Sequence, residues 1–293
     1  MMATATDTDS DSPHPGLTAE MLLRDLLNNC SMQRGQTWII HASLKSIGQV
    51  QGGAVTVVQA LEEAVGPQGT LLMPAFANPQ PDGIFDIART PSRTGLISET
   101  FRHCPGVLRS RHPTHAVAAW GARAAEFVAD HHHTSGLGVG SPFHKAAQAD
   151  AQVLMIGCAL DRLSVIHVAE AMVRVPYLGK VCYPGYERTL HLIDLDGQSH
   201  RCPPRDPPGD SANFIRVQDV LAQRGLLHRV RLGAAACLRL TADDAVAAAV
   251  ELLLADPAAL LCDHPRCPVC PQARRWLQSN RPGAPGMLEP GPP

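Results

Sequence analysis

Apolar residues in this chain fall into tight runs in some places and spaced stripes in others, and the two patterns predict different elements. Thr18 stands before a stripe at Leu22, Leu23, Leu26 and Leu27, the spacing of a helix face behind an N-cap hydroxyl. The run Thr37-Trp38-Ile39-Ile40-His41 is short and β-rich and predicts a buried strand. It breaks into a small-residue loop, Ala42 to Gly48. After Gly52-Gly53, the residues Val55, Val58, Leu61 and Val65 recur at intervals of 3, 3 and 4, an amphipathic helix that Gly66-Pro67 stops. Thr70-Leu71-Leu72-Met73-Pro74 predicts a second strand. Two strands joined through a helix usually lie parallel in one sheet, which makes the chain an α/β protein.

Further along, residues 76–94 are rich in Pro, Asp, Asn and Gly without any period and predict a loop of functional length. A helix resumes from Ser98 to Arg102. Val107 to Arg111 leads into Arg111-His112-Pro113-Thr114-His115 and an apolar run to Trp120. A polar loop opens at Asp130-His131-His132-His133 and runs through Gly136, Gly138 and Gly140 to Ser141-Pro142-Phe143. Gln152 to Gly157 is a buried strand, Ser164 to Val173 a helix, and residues 189–202 alternate as a hairpin around Asp196-Gly197. Residues 214–224 and 241–255 are helical. The resulting organisation is a flexible arm over 1–17, one domain over 18–261, a Cys-rich appendage over 262–275 and a Pro-rich disordered tail over 276–293.

Composition narrows the classes. Charged residues make up 18% and hydrophobic ones 45% of the 293 residues, a globular balance. The formal net charge of −2 lacks the basic excess of a nucleic-acid binder. No apolar run approaches the ~18 residues of a membrane span, and the polar N-terminus carries no secretory pattern. Six of the nine cysteines stand singly, at 30, 104, 158, 182, 202 and 237, which fits a reducing cytoplasm better than a disulfide framework.

Several constellations could carry chemistry. Ser164-x-x-His167-x-x-Glu170 sets a hydroxyl, an imidazole and a carboxylate three residues apart, on one face of a helix. A carboxylate fixes an imidazole's tautomer, as a general base needs; the bland alternative is a surface His–Glu pair. The Ser43–Gly53 segment could present backbone N–H groups to phosphates or be an ordinary connection. Arg111 before His112-Pro113 could hold an anion or form a structural turn. Cys262-x-His264-x-x-Cys267-x-x-Cys270 offers four zinc ligands in nine residues; reduced thiols near a frayed end are the alternative. His131-His132-His133 reads as a solvated loop. A hydrolase built on the 14 histidines would need three convergent ligands, a spacing found nowhere outside the tail.

Taken in order, these segments resemble the aminoglycoside 3-N-acetyltransferases, the antibiotic N-acetyltransferase family. The matching stretches are Ile40-His41-Ala42-Ser43-Leu44, Gly66-Pro67-Gln68-Gly69-Thr70-Leu71, Phe85-Asp86, Thr90-Pro91-Ser92-Arg93, His112-Pro113-Thr114-His115, Gly140-Ser141-Pro142-Phe143 and His167-x-x-Glu170. The end Cys267-x-x-Cys270-x-x-Ala273-Arg274 looks like that of the branch that acetylates apramycin. The resemblance implies a three-layer α/β/α sandwich, distinct from the GNAT fold. It implies acetyl transfer from acetyl-CoA to the 3-amino group of a 2-deoxystreptamine aminoglycoside, with His167 as catalytic base, Glu170 as its partner and Ser164 where the family usually has Thr. Coenzyme A would meet His41, Ala42, Ser43, Leu44, Lys45 and Ser46, with Arg111, Ser141 and Phe143. A polycationic acceptor calls for acidic groups, and Asp82 and Asp86 in the loop are candidates, with Asp210 and Asn213 as further ones. The 76–94 loop is shorter than in many relatives. One structural zinc would sit at Cys262, His264, Cys267 and Cys270. Two alternatives stay open beside this reading: acetylation of a non-drug amine, and an inactive zinc- or CoA-binding protein. Neither the residues nor the resemblance specifies an oligomeric state.

Overall fold

In the computed structural model, residues 16–181, 183–203 and 209–280 are described. The elements follow the order α1 (Ala19–Asn28), β1 (Thr37–Ala42), α2 (Leu44–Ile47), α3 (Gly53–Val65), β2 (Thr70–Pro74), β3 (Ile84–Asp86), α4 (Leu96–Phe101), β4 (Leu108–Arg109), β5 (Val117–Gly121), α5 (Ala124–Val128) and α6 (Pro142–Ala147). Then come β6 (Gln152–Ile156), α7 (His167–Val173), β7 (Leu190–Ile193), β8 (Ser199–Cys202), α8 (Ile215–Gln223), β9 (His228–Leu232), β10 (Ala235–Thr241), α9 (Ala242–Ala255) and α10 (Cys270–Ser279).

The expected parallel pair forms: β1 lies parallel to β2 and also to β6. Among the described residues, the main sheet runs β4-β5-β2-β1-β6-β10-β9. Its two flanks are antiparallel, β5 on β2 and β10 on β6. The β9–β10 hairpin was not signalled by the periodicity, because charged residues interrupt its apolar positions: His228, Arg229 and Arg231 are exposed on an edge strand.

Why the central strands read as unbroken apolar runs is clear from their two faces. Successive side chains of a strand point oppositely. Trp38 and Ile40 of β1 enter one core with Leu71 and Met73 of β2, Leu154 and Ile156 of β6, Leu22 and Leu26 of α1 and Val58 and Leu61 of α3. Ile39, Leu72, Val153 and Met155 enter the other core, with Val168 of α7, Leu221 of α8 and Leu253 of α9. A sheet buried on both faces by helices is the three-layer α/β/α arrangement.

A second, smaller sheet orders β3-β7-β8. β7 and β8 are the hairpin expected around Asp196-Gly197. β3 is a short strand inside what the sequence presented as a plain loop. Phe85, Ile87 and Leu192 form a small core of their own there, and the Arg109 guanidinium ties the loop down by donating to the carbonyls of Ala75, Ile87 and Thr90 at 2.7, 3.1 and 2.6 Å.

The two ends need correction. Leu17 is not free arm: its N–H donates to the Gln49 carbonyl at 2.8 Å and its carbonyl accepts from Gln51. Residues 1–15 lie outside the described residues. At the other end, α10 runs to Ser279, past the point where a tail was expected, and Trp276 and Leu277 pack on the main core. Cys262, Val269, Cys270 and Ala273 are buried in that same core, so the Cys-rich segment is part of it rather than an appendage. Residues 281–293 lie outside the described residues.

Candidate active site

Ligands of open α/β sheets bind beyond the carboxyl ends of parallel strands. Here β1, β2 and β6 end on the same side, and each delivers residues to one cavity of about 480 Å³. β1 contributes His41, Ala42 and, just beyond, Ser43; β2 contributes Pro74 and then Phe76; Cys158 follows β6. Gly157, with φ +64°, makes the turn possible, because a Cβ there would stand 2.2 Å from that of Ser46. Ser164 and His167 line the cavity from the single turn Ser164–Ile166 and the start of α7.

His167 is the best-defined member. Its Nδ1 donates to Glu170 Oε2 at 2.6 Å, and both side chains are buried. Glu170 has two further donors: the Tyr177 hydroxyl at 3.2 Å and the Gly209 N–H at 3.3 Å. Burial, reinforced by Glu170 itself, raises the Tyr177 hydroxyl well above the usual phenol range, so it remains a donor. The Phe214 ring stands edge-on to His167, centroids 4.7 Å apart. Nδ1 is therefore held, the ring plane is fixed, and Nε2 is the nitrogen left for a ligand. An imidazole held in this way can act as a general base.

Two other histidines line the cavity. Burial lowers His41 and His115 to a pKa of about 3, so both are neutral near pH 7. His115 Nδ1 is within 2.9 Å of Thr114 Oγ1. His41 Nε2 is buried with no partner among the described residues, a polar atom whose cost a bound ligand could relieve. The Cys158 thiol is pushed up to about 12 by burial and stays protonated.

Comparison with known proteins bears directly on this geometry. The family model described as aminoglycoside 3-N-acetyltransferase matches residues 39–254. The chain belongs to that family. It is 30% identical over 272 residues to aminoglycoside N(3)-acetyltransferase III of Pseudomonas aeruginosa, covering 84% of this chain and 96% of that one. Among solved structures, a mutant of aminoglycoside acetyltransferase AAC(3)-IVa in complex with gentamicin superposes with a TM-score of 0.77 at 28% identity, over 89% of this chain and 98% of that one. AAC-IIIb in a binary complex with CoASH gives 0.67 at 27%, over 82% and 97%. The fold is thus that of these acetyltransferases, as the resemblance implied, and the protein is an acyltransferase of the aminoglycoside 3-N-acetyltransferase family.

The remaining residues singled out in the sequence divide sharply. Leu44, Lys45 and Ser46 form α2 next to the cavity, with Ser46 Oγ donating to Ser43 Oγ at 3.0 Å; Lys45 is exposed. Ser141 is buried as the N-cap of α6, accepting from His144 N–H at 3.4 Å. Phe143 is buried behind the lining, 6.2 Å from the His41 ring and 6.5 Å from Phe76. Both support the wall instead of forming it. Arg111 sits outside the cavity and pairs with Asp194 at 3.7 Å.

The acidic candidates also fall elsewhere. Asp82 is exposed and accepts the Ile84 N–H at 2.9 Å; Asp86 accepts those of Ala88 and Arg89 at 2.9 Å each. Both carboxylates are occupied with turns, and neither lines the cavity. Asn213 donates to the carbonyls of Ala259 and Leu261, each at 3.1 Å, a bracing role. Asp210 bonds the Tyr183 hydroxyl and does not line the cavity. His264 is exposed and points its Nδ1 at the Arg266 N–H, 3.2 Å away, so it stands apart from the cysteines. His131 is no solvated residue: fully buried, it donates from Nε2 to the Gly136 carbonyl at 2.9 Å and accepts from Ser110 Oγ at 2.7 Å.

Sequence reasoning missed most of the lining. Arg93, Thr94, Tyr183, Tyr186, Gly209 and Ser211 face the cavity from segments without periodicity. The only available signal was the crowding of tyrosines in a chain with three of them: Tyr177, Tyr183 and Tyr186 all reach the site.

Proposed function

We propose that this protein transfers the acetyl group of acetyl-CoA to the 3-amino group of a 2-deoxystreptamine aminoglycoside, conferring antibiotic resistance, by direct transfer with His167 as general base. The buried His167–Glu170 pair at the edge of the cavity carries this reading. A protonated amine cannot attack, so a base must take its proton. The ammonium first loses one proton to solvent; the neutral amine nitrogen then adds to the thioester carbonyl, a second proton passes from it to His167 Nε2, and the tetrahedral intermediate expels coenzyme A as its thiolate, which the imidazolium reprotonates. Ser164, a residue of the cavity wall, would donate to the oxyanion. The turn at Ser43–Ser46 would take the pantetheine and pyrophosphate, and Arg93 and Arg162 in the lining suit an anionic cosubstrate. A thioester is already activated, so no cysteine nucleophile is needed, and burial pushes the Cys158 thiol in the lining up to about 12. Cys30, Cys104, Cys158, Cys237, Cys262, Cys267 and Cys270 are free thiols, which fits a cytoplasmic protein, and no helix among the described residues is long and apolar enough to cross a membrane. Zinc at the C-terminal cysteines would be structural, because a thioester is already activated.

One observation favours a second reading. No carboxylate is among the described residues lining the cavity, which suits an acceptor less cationic than a drug. A turnover panel with acetyl-CoA against apramycin, gentamicin and simple non-drug amines separates the two. Acetylation of a drug at its 3-amino group supports the first reading; acetylation of non-drug amines alone moves the protein to the second. Coenzyme A bound with no amine acetylated would defeat both.

A further inference from the structure

The C-terminal thiols meet a partner from far along the chain. One ligand atom each from Cys262, Cys267, Cys270 and Asp210 lies within 4.8 Å of all the others. Cys270 is fully buried and Cys262 nearly so. The backbone is shaped around the sulfurs: Cys262 N–H donates to Cys270 Sγ and Cys270 N–H donates to Cys267 Sγ, each at 3.3 Å. Amide donors aimed at sulfur suit a metal-bound thiolate, the form in which cysteine is a ligand. Three thiolates and a carboxylate at tetrahedral reach are a zinc donor set, and a closed set of four leaves no position for a catalytic water.

Asp210 links this cluster to the active site. Its carboxylate accepts the Tyr183 hydroxyl, and Tyr183 lines the cavity. Its chain neighbours Gly209 and Ser211 line the cavity too. Gly209 donates its N–H to Glu170, the carboxylate that orients His167. We propose that Cys262, Cys267, Cys270 and Asp210 bind one Zn²⁺, and that through Asp210 this metal positions the Tyr183 and Gly209–Ser211 wall of the cavity. Binding releases the thiol protons to solvent and forms three Zn–S bonds and one Zn–O bond. Asp210 is then a positioning residue, and His264, the histidine of the sequence motif, is dispensable. The consequence for rate rests on the acetyl-transfer reading, whereas the metal site does not.

The test uses the full chain, purified without chelator. Elemental analysis should find about one zinc per chain in the wild type and in His264→Ala, since a structural site of this affinity survives purification. Asp210→Asn should weaken zinc more than about 10-fold, the least expected even for loss of an outer partner. Cobalt replacement should give thiolate-to-cobalt charge-transfer absorption that Cys267→Ser reduces. Amide hydrogen exchange at Gly209–Ser211 should speed up in Asp210→Asn and in chelator-treated wild type, a readout independent of any acetyl acceptor. Tyr183→Phe should keep its zinc while changing kcat more than the KM for acetyl-CoA. The metal site is overturned by less than about 0.2 zinc per wild-type chain, or by zinc lost in His264→Ala and kept in Asp210→Asn. Zinc removed with exchange at Gly209–Ser211 unchanged overturns the positioning role. Failure of every amine to react, with metal and exchange as expected, would strike the acetyl-transfer reading and leave this site standing.

Discussion

The cavity has two walls built in different ways. One comes from β1, β2, β6 and the start of α7, and its key contact, His167 Nδ1 to Glu170, spans three residues of a single helix. The other comes from segments around Tyr183, Tyr186, Gly209 and Ser211, outside any helix or strand. That wall is held by contacts from afar: Gly209 to Glu170 across 39 positions, Tyr183 to Asp210 across 27, and Asp210 beside the cysteines at 262–270. The first wall has its chemistry built in by local spacing. The second must be assembled by tertiary structure, and it reaches the chemistry through one carboxylate, Glu170.

Breaking the local wall should have the largest effect. His167→Ala should lower kcat by about 10²-fold or more, the range for losing a general base, with the KM for acetyl-CoA little changed. Glu170→Gln should cost less, because Gln can still accept from Nδ1 while losing the charge. Steady-state kinetics on both variants check this, and a His167→Ala enzyme with wild-type kcat would remove His167 from the reaction. Trapping an acetyl group on a cysteine would instead defeat direct transfer.

The same division explains what was readable beforehand. Strands β1, β2 and β6 and helices α3 and α9 were legible because burial on two faces writes a continuous run and burial on one writes a 3.6-residue stripe. His167 and Glu170 were legible because one helix turn brings residues three apart together. Asp210 was noticed, but its partners lie on other segments, and no local pattern announces a Cys–Asp cluster. His264 was misassigned for the converse reason: closeness in sequence to three cysteines did not turn its ring toward them. The acidic loop misled because Asp82 and Asp86 are also turn formers, and their carboxylates are spent on backbone N–H groups.

A substitution at the junction sharpens the comparison. A Cβ at Gly209 would stand 2.5 Å from Glu170 Oε1, so Gly209→Ala must move the second wall or the carboxylate. A loss of about 10-fold in kcat is expected, since small misplacements cost up to ~10²-fold. Gly225→Ala, at a turn with nothing near its Cβ but φ +70°, is the control for backbone strain alone and should lower stability without a comparable loss of kcat. Equal kcat losses in the two would mean that strain, not displacement of Glu170, is responsible.

The strand wall has a weakness of its own in acid. His41, His115 and the nearby His131 are lowered to about 3 by burial, against about 6.5 in the unfolded chain. Between those values the unfolded state binds more protons, so stability is fully present above about pH 6.5 and falls as pH drops toward 3. Each histidine adds a slope of about 1.4 kcal/mol per pH unit within that window. Urea midpoints measured from pH 7 to pH 5, above the main carboxylate range, should fall steadily, and His131→Gln should flatten the slope by about one histidine's share. A midpoint independent of pH over that range would mean that these rings protonate without unfolding.

The smallest effect is expected where sequence chemistry pointed most plainly to the substrate. Asp86→Asn removes a charge from the loop, but the structure assigns that carboxylate to the N–H groups of Ala88 and Arg89. Both N–H groups donate to the same oxygen, Oδ1, which the amide oxygen of Asn replaces with an uncharged, weaker acceptor, so the cost should be about 1 kcal/mol of stability. The KM for the amine should stay within about 2-fold, because a half-buried charge outside the cavity acts weakly on a bound cation at physiological salt. Measuring both quantities on one preparation distinguishes turn former from substrate ligand: a lower melting temperature with unchanged KM fits the turn, whereas an amine KM that rises several-fold while that for acetyl-CoA stays put would bring Asp86 back to the acceptor. In that event the 76–94 loop would belong to the assembled wall after all, and the acceptor would be met mainly by segments that carry no periodic signal.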